Sequence, residues 1–485
     1  MTQTHRIDAA RIKPLILSAG DRPIREHLFP IISEGAVSSE RTPAQQLSAA
    51  NLVRDTMIAA GIANARVITS PHPEVFPAVY GEIKADVEGA PTILIGGHYD
   101  GQPSIQSRWT VTQPHQPKLV SGDGGEVRVF GRGTSDDWGQ VLTHIIAVAM
   151  IRQSGAQLPV NLKFLIEGGE ESGSPGMDKF IQDNLELLKC DLVLLTDSAP
   201  GRMKFPVITT TARGLVGVNV QLNFGTNSLH SGDNLTVGAT EVLAAILSLK
   251  DLRTRRVLIP DFYDRVKSLS DEERRKLNLM PLDVALYQNK YGLDHVRLLE
   301  GRTAQETVWA SPSYEWHTVL GSTGEGLPIA NAIHTQAKAY VSMRIVADQD
   351  PEEIFELFRA EVYRRLAANT DFGSEVLTLG KGHIAYPFKA DVSGPFFQAV
   401  AAGMAQAFDV DAVDFGGCGG TEPIAIFYQK LLGVPVVFNA FNSPIDGYHG
   451  DNESFSITYS FQPGVLANAL IYQKLADMVS GTRSG

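Results

Sequence analysis

Apolar positions along this chain fall into two textures. In the first, short unbroken apolar runs stop abruptly at polar residues, over 92–97, 160–166, 192–196 and 433–438. Continuous apolar runs of this length, bounded by turn residues, predict strands buried on both faces. Between the first two, 141–151 is apolar over a helical length, and 395–408 reads as a second helix. Residues 42–61 predict a third: Thr42 can cap it, Pro43 suits its first position, and Gly61 can close it. Leu47, Ala50, Val53 and Met57 form its apolar stripe. Buried strands with a helix between them predict an open α/β sheet.

The second texture is strict alternation. Val216, Val218, Val220, Leu222 and Phe224 alternate with Gly217, Asn219, Gln221 and Asn223. Ala337, Ala339, Val341, Met343 and Ile345 repeat the pattern. Alternation predicts antiparallel strands with one wet face. Asp350-Pro351-Glu352-Glu353 then offers a cap, a first-position proline and a capping-box acid. The helix it opens carries Phe355, Phe358, Val362 and Leu366. Residues 213–384 therefore predict an α+β domain inserted into an α/β domain made of 1–212 and 385–485. Residues 261–305 are charged and read as helical, with no chemistry assigned.

Composition narrows the possible partners. A net charge of -12 over 485 residues argues against nucleic acid and anionic membranes, which attract basic faces. No apolar run reaches the roughly 18 residues of a membrane span. Residues 1–16 lack the pattern of a secretory signal, so a cytoplasmic setting is expected. Cys190 and Cys418 are the only cysteines, too few for a disulfide framework or a zinc–thiolate site. Any metal would be held by histidines and carboxylates.

Candidate chemistry sits where the apolar runs end. The 160–166 run leads to Glu170 and Glu171. Neighbouring carboxylates push one another toward the neutral form unless a cation offsets them. The 92–97 run ends in His98-Tyr99-Asp100, and residues two apart in an extended chain share a side. Asp136-Asp137 follows a glycine turn and precedes the 141–151 helix. An N-cap explains one aspartate there but not two. Asp197 ends another run, and His449 lies just beyond the last one, near acids. Open α/β sheets carry their sites at the carboxyl ends of strands, where His98, Asp100, Glu170, Glu171 and Asp197 all fall. In the alternating region, His230 reads as a turn residue and Arg344 as a solvated residue of a wet sheet face. Gly416-Gly417-Cys418-Gly419-Gly420-Thr421 is a glycine-dense turn able to cradle an anion, without the spacing of a dinucleotide fingerprint or a P-loop.

Taken in order, these motifs resemble the M20 metallopeptidases, the group of carnosinase, aminoacylase-1 and succinyl-diaminopimelate desuccinylase. The matching stretches are Gly97-His98-Tyr99-Asp100, Gly131-Arg132-Gly133-(x)2-Asp136-Asp137, Glu170-Glu171-Ser172-Gly173-Ser174, Asp197, Leu229-His230-Ser231-Gly232 and His449. The Asp136-Asp137 pair, the Glu-Glu-Ser-Gly-Ser run and the 419–423 turn are closest to the carnosinase-like dipeptidases. The resemblance implies an open mixed-sheet catalytic domain with an inserted lid and dimerisation domain. It implies two divalent ions, zinc first with manganese or cobalt as alternatives. His98, Asp136, Glu171, Asp197 and His449 would be ligands, with Asp136 bridging. Glu170 would be general base and acid, and Asp100 would orient His98. His230 would serve a second subunit's site in a homodimer, and Arg344 would hold a substrate carboxylate beside Gly419, Gly420 and Thr421. One position departs from the pattern: Trp138 stands where the family usually has Lys or Arg, which points to a changed pocket.

The resulting expectation is a two-zinc hydrolase of a dipeptide or small peptide-like amide. Its closest rival is an N-acyl amino acid or other small-amide hydrolase on the same fold. A third reading, a binding module that has lost catalysis, is disfavoured because every expected ligand is present.

Overall fold

The computed structural model describes residues 6–482 apart from 41, 199–203, 281, 283 and 322–330. The chain divides into two compact units. The first comprises 1–210, 390–416 and 423–485, and the second 211–389 with 417–422.

The first unit is built on a six-stranded sheet. Its order is Arg66–Ile68, Ala78–Ile83, Asn161–Glu167, Thr92–His98, Leu192–Leu195, Val436–Phe438. The last four strands run parallel, and the 78–83 strand joins them antiparallel, so the sheet is mixed. The four runs predicted as buried strands are all here. Phe164, Ile93, Leu94, Val193 and Leu194 have no exposed surface. Burying a side chain of this size stabilises the fold by about 1.5–3 kcal/mol.

Helix Trp138–Gln153 is buried almost throughout, which explains why its sequence is apolar all round rather than striped. Helix Pro395–Phe408 packs on helix Gln462–Thr482. Gly403 permits that approach, since a Cβ there would lie 2.6 Å from Ile471 Cγ1 and 2.8 Å from Ile471 Cα. Helix Pro43–Ala59 packs beside the sheet's first two strands.

The 101–127 segment, which reads as loop, also contains a strand, Lys118–Ser121. It pairs antiparallel with Val127–Phe130, which pairs in turn with Ser454–Ser456. This small sheet carries the segment after His449 to the segment before Asp136.

The second unit is a four-stranded antiparallel sheet, ordered Ser313–Gly321, Gln336–Ile345, Gly214–Asn223, Leu377–Ala385. The alternating apolar positions make its buried face, covered by helices Ala239–Leu247 and Pro351–Asn369. Val216, Val218, Val341 and Met343 meet Phe358 and Val362 there. Asp350 caps the second helix, its Oδ1 accepting from the amides of Glu352 and Glu353. The charged 261–305 stretch supplies short helices, including Asp271–Leu279 and Val284–Tyr291.

Candidate active site

Sheet register builds the site in the first unit. His98 lies opposite Glu167 on the neighbouring parallel strand, and Gly96 opposite Leu195. Three carboxyl ends therefore stop at one level, presenting His98, the Glu170–Ser172 turn and Asp197. Gly97 is needed for this convergence. A Cβ there would lie 2.2 Å from Thr196 Oγ1 and 2.6 Å from Asp137 Oδ2.

His98 is fully buried and held on both sides. Its Nδ1 is 3.0 Å from the Asp100 carbonyl and 3.2 Å from Asp100 Oδ1. Its Nε2 is 3.1 Å from Asp136 Oδ1, 3.6 Å from Asp197 Oδ2 and 3.9 Å from Glu170 Oε2. The other Asp136 oxygen, Oδ2, lies 2.9 Å from His449 Nε2. His449 Nε2 is also 2.9 Å from Glu171 Oε2. Two trios result, His98–Glu170–Asp197 and Asp136–Glu171–His449, each close enough to close on one ion. Asp136 stands between them with one oxygen toward each imidazole.

Asp100 does more than face His98. Its two oxygens accept from the amides of Glu170 and Glu171, each at 3.2 Å, fixing the turn that presents both glutamates. Asp137, cis-linked to Asp136, points away from the trios. Its Oδ2 accepts from the His98 amide at 3.1 Å and from Thr196 Oγ1 at 2.5 Å. The paired aspartates thus divide: one faces the two imidazoles and the other braces the strand. Neither makes a side-chain cap for the Trp138–Gln153 helix.

The electrostatics favour cations. Burial raises Glu171, and the Asp136 charge adds to it, bringing its carboxyl up to about 7. Asp197 is raised by burial and by Asp136. Burial opposes charge on His449, yet Asp136 and Glu171 push it up to about 11. Burial also opposes charge on His98, but its bonds to Asp100, Asp136 and Asp197 lift it well above the usual range. Burial would raise Asp136 too, but the two imidazoles hold it low. The surrounding acids favour the charged form of both imidazoles. Divalent ions would supply that charge and leave the imidazoles free as neutral ligands. Glu171 Oε1 is buried without a hydrogen-bond partner in the protein, as a ligand oxygen awaiting an ion would be. The donor set, imidazole nitrogen with carboxylate oxygen, suits zinc, manganese or cobalt.

Several residues that hold the site escaped the sequence reading. Glu453 is fully buried and accepts four N–H groups. Its Oε1 takes the amides of Ser135 (2.9 Å) and Asp136 (3.1 Å). Its Oε2 takes the Gly133 amide (3.0 Å) and Arg132 Nη1 (2.7 Å). Arg132 Nη2 also donates to the Gly450 carbonyl at 3.0 Å, tying the Asp136 loop to the His449 loop. His449 itself sits at a positive φ of 58°, in the left-handed region that side chains favour little. Asp446 is braced by Arg128 and by Ser443. Gln102 Nε2 donates to Glu171 Oε2 at 2.7 Å. Only Arg132 stood inside a quoted motif; the others lie in stretches with no periodic signal.

Trp138 is buried, and its indole donates to the His27 carbonyl at 3.2 Å, so it packs into the interior.

The remaining predicted residues belong to the second unit. His230 is exposed on a two-residue strand paired with Ala332–Ile333, and its Nδ1 accepts from the Gly232 amide at 3.0 Å. Arg344 is not the solvated residue its strand pattern suggests. It is half-buried, and its Nη1 is buried with no hydrogen-bond partner. The 419–421 turn departs from a simple anion cradle. The Gly420 amide already donates to Cys418 Sγ at 3.3 Å, and the Gly419 carbonyl accepts from Arg213 Nε at 3.0 Å.

Comparison with known proteins places this arrangement. The model of peptidase family M20/M25/M40 matches residues 94–474. The chain belongs to that family. It is an enzyme of the peptidase and amide-hydrolase kind, on the family's mixed α/β fold. It is 26% identical over 415 residues to the Beta-Ala-His dipeptidase of Rattus norvegicus, covering 84% of this chain and 81% of the relative. It is 27% identical over 450 residues to the Cysteinylglycine-S-conjugate dipeptidase of Corynebacterium striatum, covering 90% and 93%. The solved structure of the dipeptidase Dug1p from Saccharomyces cerevisiae shares its fold, with a TM-score of 0.77, 24% identity, and 97% and 99% coverage. As a family member the M20 chain is expected to bind divalent metal.

Proposed function

We propose that this M20 enzyme is a dipeptidase that uses two divalent ions, zinc foremost, to cleave a dipeptide or small peptide-like amide bearing a free carboxylate. One observation carries the reading: Asp136 directs Oδ1 toward His98 at 3.1 Å and Oδ2 toward His449 at 2.9 Å. A single carboxylate shared between two imidazoles is the geometry a two-ion site requires.

His98 and Asp197 would hold one ion, Glu171 and His449 the other, and Asp136 both. The bound ions would polarise the scissile carbonyl and acidify a water molecule. Glu170 accepts the proton from that water and passes it to the departing amine nitrogen, as general base and then acid. Asp100 positions His98 through Nδ1 and positions Glu170 through its amide. Arg344 receives the substrate carboxylate, supported by its buried unpartnered Nη1. His230 stabilises the developing oxyanion in a homodimer formed through the second unit. In that assignment the second unit is lid and dimerisation domain, and the first is catalytic. Two free cysteines fit a reducing, cytoplasmic setting.

The test is a panel of dipeptides and N-acyl amino acids, assayed with purified protein loaded with zinc or manganese. Turnover of dipeptides supports the reading. Turnover of N-acyl amino acids alone would move the enzyme to the amide-hydrolase side of its family. No turnover of either, with no bound metal, would remove the reading.

A further inference from the structure

The second unit carries an open recess of about 520 Å³ whose walls include four arginines, Arg213, Arg255, Arg297 and Arg344. Among the described residues, no carboxylate pairs with Arg213 or Arg344. Arg213 spends its donors on backbone oxygens, Gly419 at 3.0 Å and Ser311 at 3.3 Å. Burial and the nearby Arg344 charge lower Arg213 to about 10, and Arg255 adds to the repulsion. The one acid on the wall, Glu315, is taken by Lys250 at 2.5 Å, with Arg255 3.8 Å away. Besides that contact Arg255 donates to the Arg297 carbonyl (2.8 Å), and Arg297 donates to the Leu252 carbonyl (3.3 Å).

Arg213, Arg255 and Arg344 are half-buried and Arg297 is exposed, and gathering like charges with so little counter-charge is unfavourable. The arrangement becomes favourable once an anion enters, and planar guanidinium groups match carboxylates closely. The space is also far larger than one carboxylate needs. It falls in the range of pockets that enclose whole small molecules, roughly 300–1,000 Å³. Leu215, Val308 and Pro312 give it apolar wall for an aliphatic chain.

We propose that this recess binds a substrate residue carrying two acidic groups, its main-chain carboxylate at Arg213 and Arg344 and a side-chain carboxylate at Arg255 and Arg297. The inference rests on the dipeptidase reading and narrows it: the preferred substrate has an acidic residue on the carboxylate side of the scissile bond.

Ala-Glu and Ala-Gln test it, because they differ by charge at nearly constant shape. On the metal-loaded full-length enzyme, kcat/KM is expected to favour Ala-Glu by at least about tenfold, or about 1.4 kcal/mol. The preference should fall toward unity in the R255Q/R297Q double variant, through KM. Binding gives a second readout that needs no turnover. By calorimetry, glutarate should bind the wild-type enzyme at least about tenfold more tightly than butyrate, and the double variant should lose that margin.

Equal handling of Ala-Glu and Ala-Gln, with glutarate no tighter than butyrate, overturns the recess and leaves the dipeptidase reading intact. Arginine-dependent glutarate binding without cleavage of either dipeptide keeps the recess and overturns the dipeptidase reading.

Discussion

The two units solve opposite electrostatic problems with the same device. The first gathers Asp136, Glu170, Glu171 and Asp197 around two imidazoles. The second gathers four arginines around a cavity with a single acid that is already engaged. Each collects one sign of charge beyond what its own side chains neutralise. The difference lies in what completes each set. Compact acids and imidazoles at ligand distance suit ions, whereas arginines spread over a larger, partly apolar recess suit the organic anion proposed above. Both illustrate that unbalanced clustered charge points to a ligand of the other sign more strongly than to stability.

Removing cations should break the first half of that comparison with the largest effect. Chelation is expected to abolish hydrolysis and to lower the melting temperature. An ion present at 1,000 times its Kd contributes about 4 kcal/mol. Metal analysis with calorimetry checks this, and full activity in metal-free protein would refute it.

Next in size is Glu170→Gln. The expected outcome is a fall in kcat of about 10²–10⁴-fold with metal content retained. Glu170 also lies within the His98–Asp197 trio, so metal stoichiometry is the deciding measurement. Loss of an ion would make Glu170 a ligand and leave the base unassigned.

Glu453→Gln tests the brace beneath the acids. It removes the buried partner of Arg132 and turns donors of its own toward amide donors. A loss of about 3–5 kcal/mol in denaturant unfolding is expected, with activity falling alongside. A change under about 1 kcal/mol would show that the loops hold without it.

The last prediction, a pH slope with no change in activity, sharpens the contrast with a buried group that has no charged neighbours. His144 is buried between Tyr472 and Asn439, and burial lowers it to about 3. Unfolded, a histidine binds its proton near pH 6.5, while folded His144 refuses it until about pH 3. Stability from this group is therefore present above pH 6.5 and lost as pH falls toward 3, by up to about 1.4 kcal/mol per unit. Comparing unfolding free energy against pH for wild type and His144→Gln isolates this slope; equal slopes would refute it.

Much of the first site was legible because its chemistry sits at the ends of strongly patterned elements. His98, Glu170 and Asp197 each follow a buried strand closely, so periodicity alone brought them to one edge. Glu453 was not legible, since its purpose is to satisfy amides of a loop 317–320 residues earlier in the chain. Arg344 misled for a related reason. Its strand alternates as a wet-faced strand should, and nothing local reveals that the polar face lines a recess. Asp136 and Asp137 show the same limit at closer range. Their excess over a helix cap was visible in the residues, but the choice of Asp136 as the bridging one came only with the family resemblance.

By itself the sequence determined the elements and their kinds: buried runs for an open α/β sheet, alternating runs for a second, antiparallel one, and metal-binding residue types at the right ends. Those follow from local periodicity and from the scarcity of cysteine. Only the tertiary structure decided that Glu170 joins His98 and Asp197 in one trio, that Glu453 braces the Asp136 loop, and that four arginines line one recess. These depend on strand order, register and loop docking, which bring together residues hundreds of positions apart and leave no trace in any local pattern.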